Sequence, residues 1–470
     1  MRAAQATGCV VLSAWLAGCV ELPWRSYGAA PPSPSQMAAN ATDETVLVPA
    51  WPQAIDASHE YSLVELIDIA QRINPETRGA WQRARAASAR LGHAEAVYLP
   101  TLALAVEGGA RRDAFPSPDG QFTATGPYVE PRLQLAWTLL DLSRFASIDG
   151  ARARAEQASF AFSRRHQEVT FAVARAFYGL DAARARLGAA EVTLRTATVV
   201  EQAVAAQLKV GLATRPDLLL ASEQRARAAF DVEGATGAVR TSQGALAEAV
   251  GVPPLPPLQI SSLEAQRLPQ RLEAPVEQVL ESTLRHRPDL KALVADVQAR
   301  EAELRGARGS YAPRLSIRGS ADYQGWRNNA VPPDRSFTNS TLEYQLQLRI
   351  EWELFEGFAR LNDVRAAESD REASAAALTA GALRALRETW TAHSDVQTAQ
   401  RQVEFASALL ASAEEAYAAN LERYRRGLGT VIDLLTAERD LASARSTAID
   451  SRAQLLIAAA ALTFDIGSGR

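Results

Sequence analysis

Cysteine and methionine are nearly absent: the 470 residues hold two of each. Cys9 and Cys19 both lie near the start. Nothing downstream can form a disulfide framework, a thiolate metal site or a cysteine nucleophile. The scarcity of methionine argues against a conduit for copper or silver ions, which thioethers would bind. Long apolar runs are missing too. No stretch of about 20 apolar residues exists, so no segment can cross a bilayer as a helix. An excess of one charge is also missing. The 50 Lys and Arg against 54 Asp and Glu give a net charge of −4, which offers no nucleic-acid surface and no polybasic membrane patch. The five histidines, His59, His93, His166, His286 and His393, have no metal-ligand spacing and read as surface helix positions. There is no phosphate-cradling loop, nucleophile elbow or zinc-protease helix. No catalytic residue, metal or cofactor is therefore expected.

The N-terminus carries a targeting pattern. Arg2 precedes the short apolar segment Val10-Val11-Leu12-Ser13-Ala14-Trp15, and Leu16-Ala17-Gly18-Cys19 follows. Small residues before a cysteine admit a lipoprotein signal peptidase, which makes residues 1–18 a signal peptide and Cys19 the lipidation site. Val20 is not the aspartate that retains such proteins at the inner membrane, so the outer membrane is the expected destination. Each buried acyl CH₂ adds roughly 0.8 kcal/mol of anchoring. Residues 19–58, rich in Pro, Ala and Ser, read as an extended tether along the body or as a loose linker.

The rest of the chain is an internal repeat. Asn74-Pro75 recurs as Arg287-Pro288, and Tyr98-Leu99-Pro100-Thr101-Leu102 as Tyr311-Ala312-Pro313-Arg314-Leu315, each 213 residues on. Trp137-Thr138-Leu139-Leu140 recurs as Trp352-Glu353-Leu354-Phe355. Gly211-Leu212-Ala213-Thr214-Arg215-Pro216-Asp217-Leu218-Leu219 recurs as Gly427-Leu428-Gly429-Thr430-Val431-Ile432-Asp433-Leu434-Leu435. The order of these landmarks sets the boundaries: residues 59–251 are the first copy, 252–274 a Pro-rich linker, 275–467 the second copy and 468–470 a tail. Each copy is expected to begin with one helix, Ser62 to Val97 and Pro275 to Ser310, stopped by Pro100 or Pro313.

Two strands follow in each copy. In Glu343–Trp352 the residues Tyr344, Leu346, Leu348, Ile350 and Trp352 form one face; Glu343, Gln345, Gln347, Arg349 and Glu351 form the other. Leu315, Ile317, Ala321 and Tyr323 alternate likewise, as do Leu102, Leu104 and Val106, then Leu133, Leu135 and Trp137. About 10 residues, apolar on one side and polar on the other, is the pattern of a membrane β-barrel strand. Residues 110–126 and 325–340 read as long outward loops. Four strands cannot close a barrel, and an open edge in lipid costs several kcal/mol per unpaired group. Several chains must therefore combine.

Residues 144–210 and 359–426 read as very long helices, roughly 100 Å if continuous. Val173, Leu180, Leu187 and Leu194 repeat every seven residues beside Ala176, Ala183, Ala190, Ala197 and Val204. Val396, Val403, Leu410, Tyr417 and Tyr424 repeat beside Ala392, Ala399, Ala406, Ala413 and Asn420. A seven-residue period implies left-handed coiled-coil packing. Each long helix turns at Gly211 or Gly427 and returns as a shorter one.

With these junctions, tips and heptads duplicated in order, the chain resembles the TolC-like outer-membrane efflux proteins, lipoprotein subgroup, over about residues 60–467. The resemblance implies a mainly α fold with a small transmembrane β part: a homotrimer whose 12-stranded barrel in outer-membrane lipid continues into a periplasmic α-barrel. It implies a passive exit duct for drugs or other small molecules, working with a periplasmic adaptor (membrane fusion) protein and an inner-membrane transporter. It also implies that Val210, Gly211, Leu212, Thr214, Gly427, Leu428 and Thr430 are adaptor-facing tips. Asp217 and Asp433 fall where the family has acidic gate residues, with Tyr424 and Arg426 as further gate candidates; where some members carry a second aspartate, this chain has Thr436. Helix N-capping or a favourable first-turn charge is the competing role for both aspartates, and it is compatible with a gate role. Two other readings stand beside the efflux duct: an exit channel for type I protein secretion, and a periplasmic coiled-coil scaffold lipoprotein.

Overall fold

The computed structural model describes residue 56 and residues 58–118, 120–261, 268, 275–331 and 337–467. Cys19, the signal peptide and most of the tether lie outside these residues. The first copy runs β1 (Glu60–Tyr61), α1 (Leu63–Ile73), α2 (Pro75–Glu95), a 3₁₀ turn (Ala96–Tyr98), β2 (Thr101–Ser117), β3 (Gly120–Leu140), α3 (Leu142–Lys209) and α4 (Arg215–Val250). The second runs β4 (Gln259–Ile260), α5 (Val276–His286), α6 (Pro288–Gly309), β5 (Arg314–Val331), β6 (Phe337–Glu351), α7 (Ala359–Arg425) and α8 (Val431–Ile466).

The single opening helix expected in each copy is two helices. Asn74 and Arg287 are extended, and Pro75 and Pro288 start the next helix at its first position. Proline lacks the donor an interior turn needs and pushes the preceding residue out of the helical region. The break is docked by the far end of the same copy. The Asn74 side-chain amide donates to the Ala249 carbonyl at 2.9 Å. Gly251, with φ +90°, comes so close that a Cβ would lie 2.8 Å from Asn74 Cα. Gly467, with φ +79°, stands in the same relation to Arg287, at 2.9 Å. Arg287 is buried and holds Asp289 at 2.7 and 3.0 Å and Glu388 at 2.9 Å. Around the first break lies a core of Leu66, Ala70, Val173, Phe177, Leu180, Leu246 and Val250, with β1 and β4 pairing in parallel beside it.

The four long strands form one antiparallel sheet in the order β2-β3-β5-β6. The copies meet at β3 and β5, which leaves β2 and β6 as edges. The duplicated junction motifs are bonded to each other. The Trp137 indole N–H donates to the Tyr98 carbonyl at 3.0 Å, and the Trp352 indole to the Tyr311 carbonyl at 3.0 Å. Each tryptophan thus ties the end of its strand pair to the helix that enters it. The expected loop at 110–126 is strand: β2 and β3 pair without a break from Thr101↔Ala136 to Ser117↔Gly120. In the second copy β5 continues to Val331 and β6 begins at Phe337. Polar composition does not by itself make a loop; Phe115, Phe122, Thr123 and Thr125 still favour a pleated ladder.

The long helices are continuous over 68 and 67 residues. Along the heptad rows Val173, Leu180, Ala183, Ala197 and Val204 are buried, as are Ala392, Val396, Ala399 and Ala406; Leu187, Leu194 and Leu410 are less deeply placed. No helix among the described residues is long and apolar enough to cross a membrane.

Candidate functional site

Both helical tips are built the same way. Gly211 and Gly427 adopt φ +74° and +70°, the left-handed conformation that ends a helix. The Leu212 N–H donates to the Gln207 carbonyl at 2.9 Å and the Gly211 N–H to Leu208 at 3.1 Å; Leu428 donates to Arg423 at 2.8 Å and Gly427 to Tyr424 at 3.0 Å. These paired bonds satisfy otherwise orphaned carbonyls at the helix end. The next helix starts a few residues later with a capping box. The Asp217 carboxylate accepts from the Thr214 N–H at 2.8 Å and hydroxyl at 2.6 Å, and the Asp217 N–H donates back at 3.4 Å. The Asp433 carboxylate accepts from the Thr430 N–H at 3.2 Å, and its N–H donates to the Thr430 hydroxyl at 3.1 Å. Hydrogen bonds from the threonine hydroxyl and backbone hold both carboxyls below the usual range. Both aspartates therefore belong to capping boxes and are charged. Val210, Leu212 and Leu428 are exposed, Leu212 to 78%.

The other gate candidates separate. Tyr424 is buried in a core that joins the two hairpins, with Val200, Val204 and Ala221 on one side and Val431, Leu434 and Leu435 on the other. Its hydroxyl donates to the Gln207 side chain at 2.8 Å, across the hairpins. Burial, with the Asp217 charge second, pushes that phenol up. Arg426 does not reach either aspartate; it is exposed and pairs with Glu422 at 3.6 Å. The Arg423 charge is the one that helps hold Asp433 ionised.

Two residues near the tip went unread in the sequence. Gln207 had no pattern to mark it. Glu438 had one: it stands one turn beyond Leu434, on a face that continues to Leu441. It is buried, and neither carboxyl oxygen has a hydrogen-bond partner among the described residues. Burial pushes its carboxyl up to about 7. The histidine reading needs correction as well. His59 lies before β1 and pairs with Glu65 at 3.5 Å. His393 is buried in α7, on the side that packs into the helical core. Among the described residues no cluster of His, Cys, Asp or Glu could hold a metal.

The sheet is the other end of the candidate duct. Its apolar face is bare in the single chain: Leu104 is 69% exposed, Leu346 75% and Ile350 70%. Its opposite face carries Glu107, Glu130, Arg132, Asp322, Glu343 and Arg349. Arg132 pairs with Asp322 across β3 and β5. An apolar patch of this extent does not stay in water.

A model of the family "Outer membrane efflux protein" matches residues 66–252 and again 279–468. Protein CyaE of Bordetella pertussis is 30% identical over 418 residues, covering 87% of this chain and 85% of that protein. The outer-membrane channel CmeC of Campylobacter jejuni superposes with a TM-score of 0.76 at 15% identity, over 90% of each chain. The open-state MtrE outer-membrane channel of Neisseria gonorrhoeae gives 0.70 at 21% identity, over 86% of this chain and 88% of that one. The two structures bear on the fold alone.

Proposed function

Because this chain belongs to the outer membrane efflux protein family, we propose that it is the trimeric exit duct of a tripartite export system, gated at its periplasmic helix tips. The family makes it a passive outer-membrane channel with a large periplasmic helical part, not an enzyme. The observation that carries the finer reading is the sheet: four strands, one bare apolar face and two unpaired edges. Unpaired strand edges cannot stand in lipid. Pairing β6 of one copy with β2 of the next removes every edge, and three copies supply 12 strands. The charged inner faces need a water-filled lumen, which eight strands would not leave open. Acyl chains on Cys19 would add a tether, a proposal that rests on the Leu16–Cys19 pattern.

The exposed tips Val210, Gly211, Leu212, Thr214, Gly427, Leu428 and Thr430 form the docking end for a periplasmic adaptor, through which an inner-membrane transporter delivers cargo. Asp217 and Asp433 hold the tips in register, and their charges line the resting aperture. Tyr424 bonded to Gln207 latches the second hairpin to the first. Reconstitution in planar bilayers tests this. Asp433→Ala should raise resting conductance. Thr430→Ala weakens the cap but keeps the carboxylate, and should leave it nearer wild type. Equal, unchanged conductance in both would remove the tips from the gate.

A further inference from the structure

The polar face of the sheet carries an apolar cluster where water should be. Along β2 the residues of that face are Ala103, Ala105, Glu107 and Gly109, small or charged; then come Arg111, Asp113 and Phe115. Phe115 stacks on Phe122 with centroids 5.4 Å apart and leans on Trp326 at 5.5 Å. The Arg111 guanidinium lies 4.3 Å from the Trp326 ring centre and 5.3 Å from that of Tyr128. Glu130 at 2.9 Å and Asp113 at 3.2 Å hold it there. The Tyr128 ring lies over Gly109, where a Cβ would come within 3.3 Å of it. Trp326 is 6% exposed, although it stands on the open face of a single-layer sheet.

Strand alternation fixes the side. Trp326 shares its parity with Asp322, and Tyr128 with Arg132, on the face opposite Leu133 and Tyr323. The ladder pairs Arg132 with Asp322 and Tyr128 with Trp326. The cluster therefore begins just past Tyr323, at the outer limit of the lipid-facing band, and continues to the hairpin end at Ser117–Gly120. That end is remote from the helices, so it is the exit. Aromatic rings gathered on a water-filled wall stand higher than the alanines and serines below them. Arginine set against two rings and held by two carboxylates is fixed in place, so the cluster does not fold away.

We propose that this aromatic–arginine clasp is an outer constriction of the duct, a second narrow point at the exit rim that limits conductance and retards bulky solutes. The proposal rests on the channel reading above. Three copies face one another across the lumen. Arg111 is matched by its own acids, so the clasp discriminates by size more than by charge.

Single-channel recording tests it. The double variant Phe115→Ala/Trp326→Ala, recovered as a detergent-resistant oligomer, should show larger unitary conductance than wild type. A second arm does not disturb the clasp. Downstream of Cys19 the chain has no cysteine, so Ser117→Cys gives one lumen-side thiol beside Phe115. A bulky cationic thiol reagent added from the exit side should cut the current through Ser117→Cys and leave Ala114→Cys, on the opposite face, unaffected. Absence of block at Ser117→Cys, or unchanged conductance in the assembled double variant, overturns the clasp. Failure of the wild-type protein to form any pore overturns the channel reading instead.

Discussion

On the proposed reading, single residues at the tips serve both the helix cap and the gate. Asp217 and Asp433 are ordinary capping-box acids by geometry, and a cap of this kind contributes about 1 kcal/mol. The same carboxylates are ionised and project at the end of the helical body, which is what a charged aperture requires. Glu438 is different. Its ordinary value in an unfolded chain is about 4.3; in the fold burial pushes it up to about 7. The folded protein therefore holds a proton that the unfolded chain releases between those values. Its contribution is full below about pH 4.3 and is lost as pH rises through about 7. Glu438→Gln should match wild type in thermal stability at pH 4 and exceed it at pH 8, by at most about 4 kcal/mol. Equal stabilities at pH 8 would mean that the carboxyl finds a cation in the assembled protein.

At the scale of elements, the helix-ending glycines with positive φ divide into two kinds. Gly211 and Gly427 end helices in open space, where an added Cβ would meet nothing within 4 Å. Gly251 and Gly467 end helices against the backbone of Asn74 and Arg287. Alanine at the first pair costs the conformational term alone, about 1 kcal/mol. At Gly251 or Gly467 it adds a backbone clash, so those variants should unfold at clearly lower denaturant concentration than Gly211→Ala. Equal midpoints would show that the docking of helix end onto helix break is loose. The two copies solve that docking differently. The first uses the Asn74 amide on a carbonyl, the second a buried Arg287 among Asp289, Glu388 and Asp465. The duplicated X-Pro pairs mark both places in the sequence. They do not say that each pair breaks a helix, because proline also sits well at a first helical turn.

For the whole molecule, the sheet and the proposed lipid anchor are separable. If the strands hold the protein in the outer membrane, Cys19 is an accessory. A Cys19→Ala variant exported with a non-lipoprotein signal should still fractionate with the outer membrane and migrate as a heat-modifiable oligomer. Release into the soluble periplasm would favour the coiled-coil scaffold.

The duplicated plan, the strand faces and the long heptad helices are all written in the order of the residues. Each is a periodic property: period two for a sheet between lipid and water, period seven for helix on helix. Side-chain polarity repeated at fixed spacing is readable without coordinates. A cap after each tip is readable too, but the capping residues are Thr214 and Thr430, and the aspartates expected in that role close the box three residues on. Contacts between residues far apart in the chain had to wait for the fold. Tyr424 meets Gln207, Trp137 meets the Tyr98 carbonyl, Gly467 meets Arg287, and Phe115 meets Trp326. Such contacts follow from which helix or strand becomes whose neighbour, and no local pattern encodes that. The polar stretch 110–126 reads as a loop because its composition is polar, yet it folds back on itself as the β2–β3 hairpin. Trp326 joins Phe115 and Arg111 only once β3 of the first copy lies against β5 of the second.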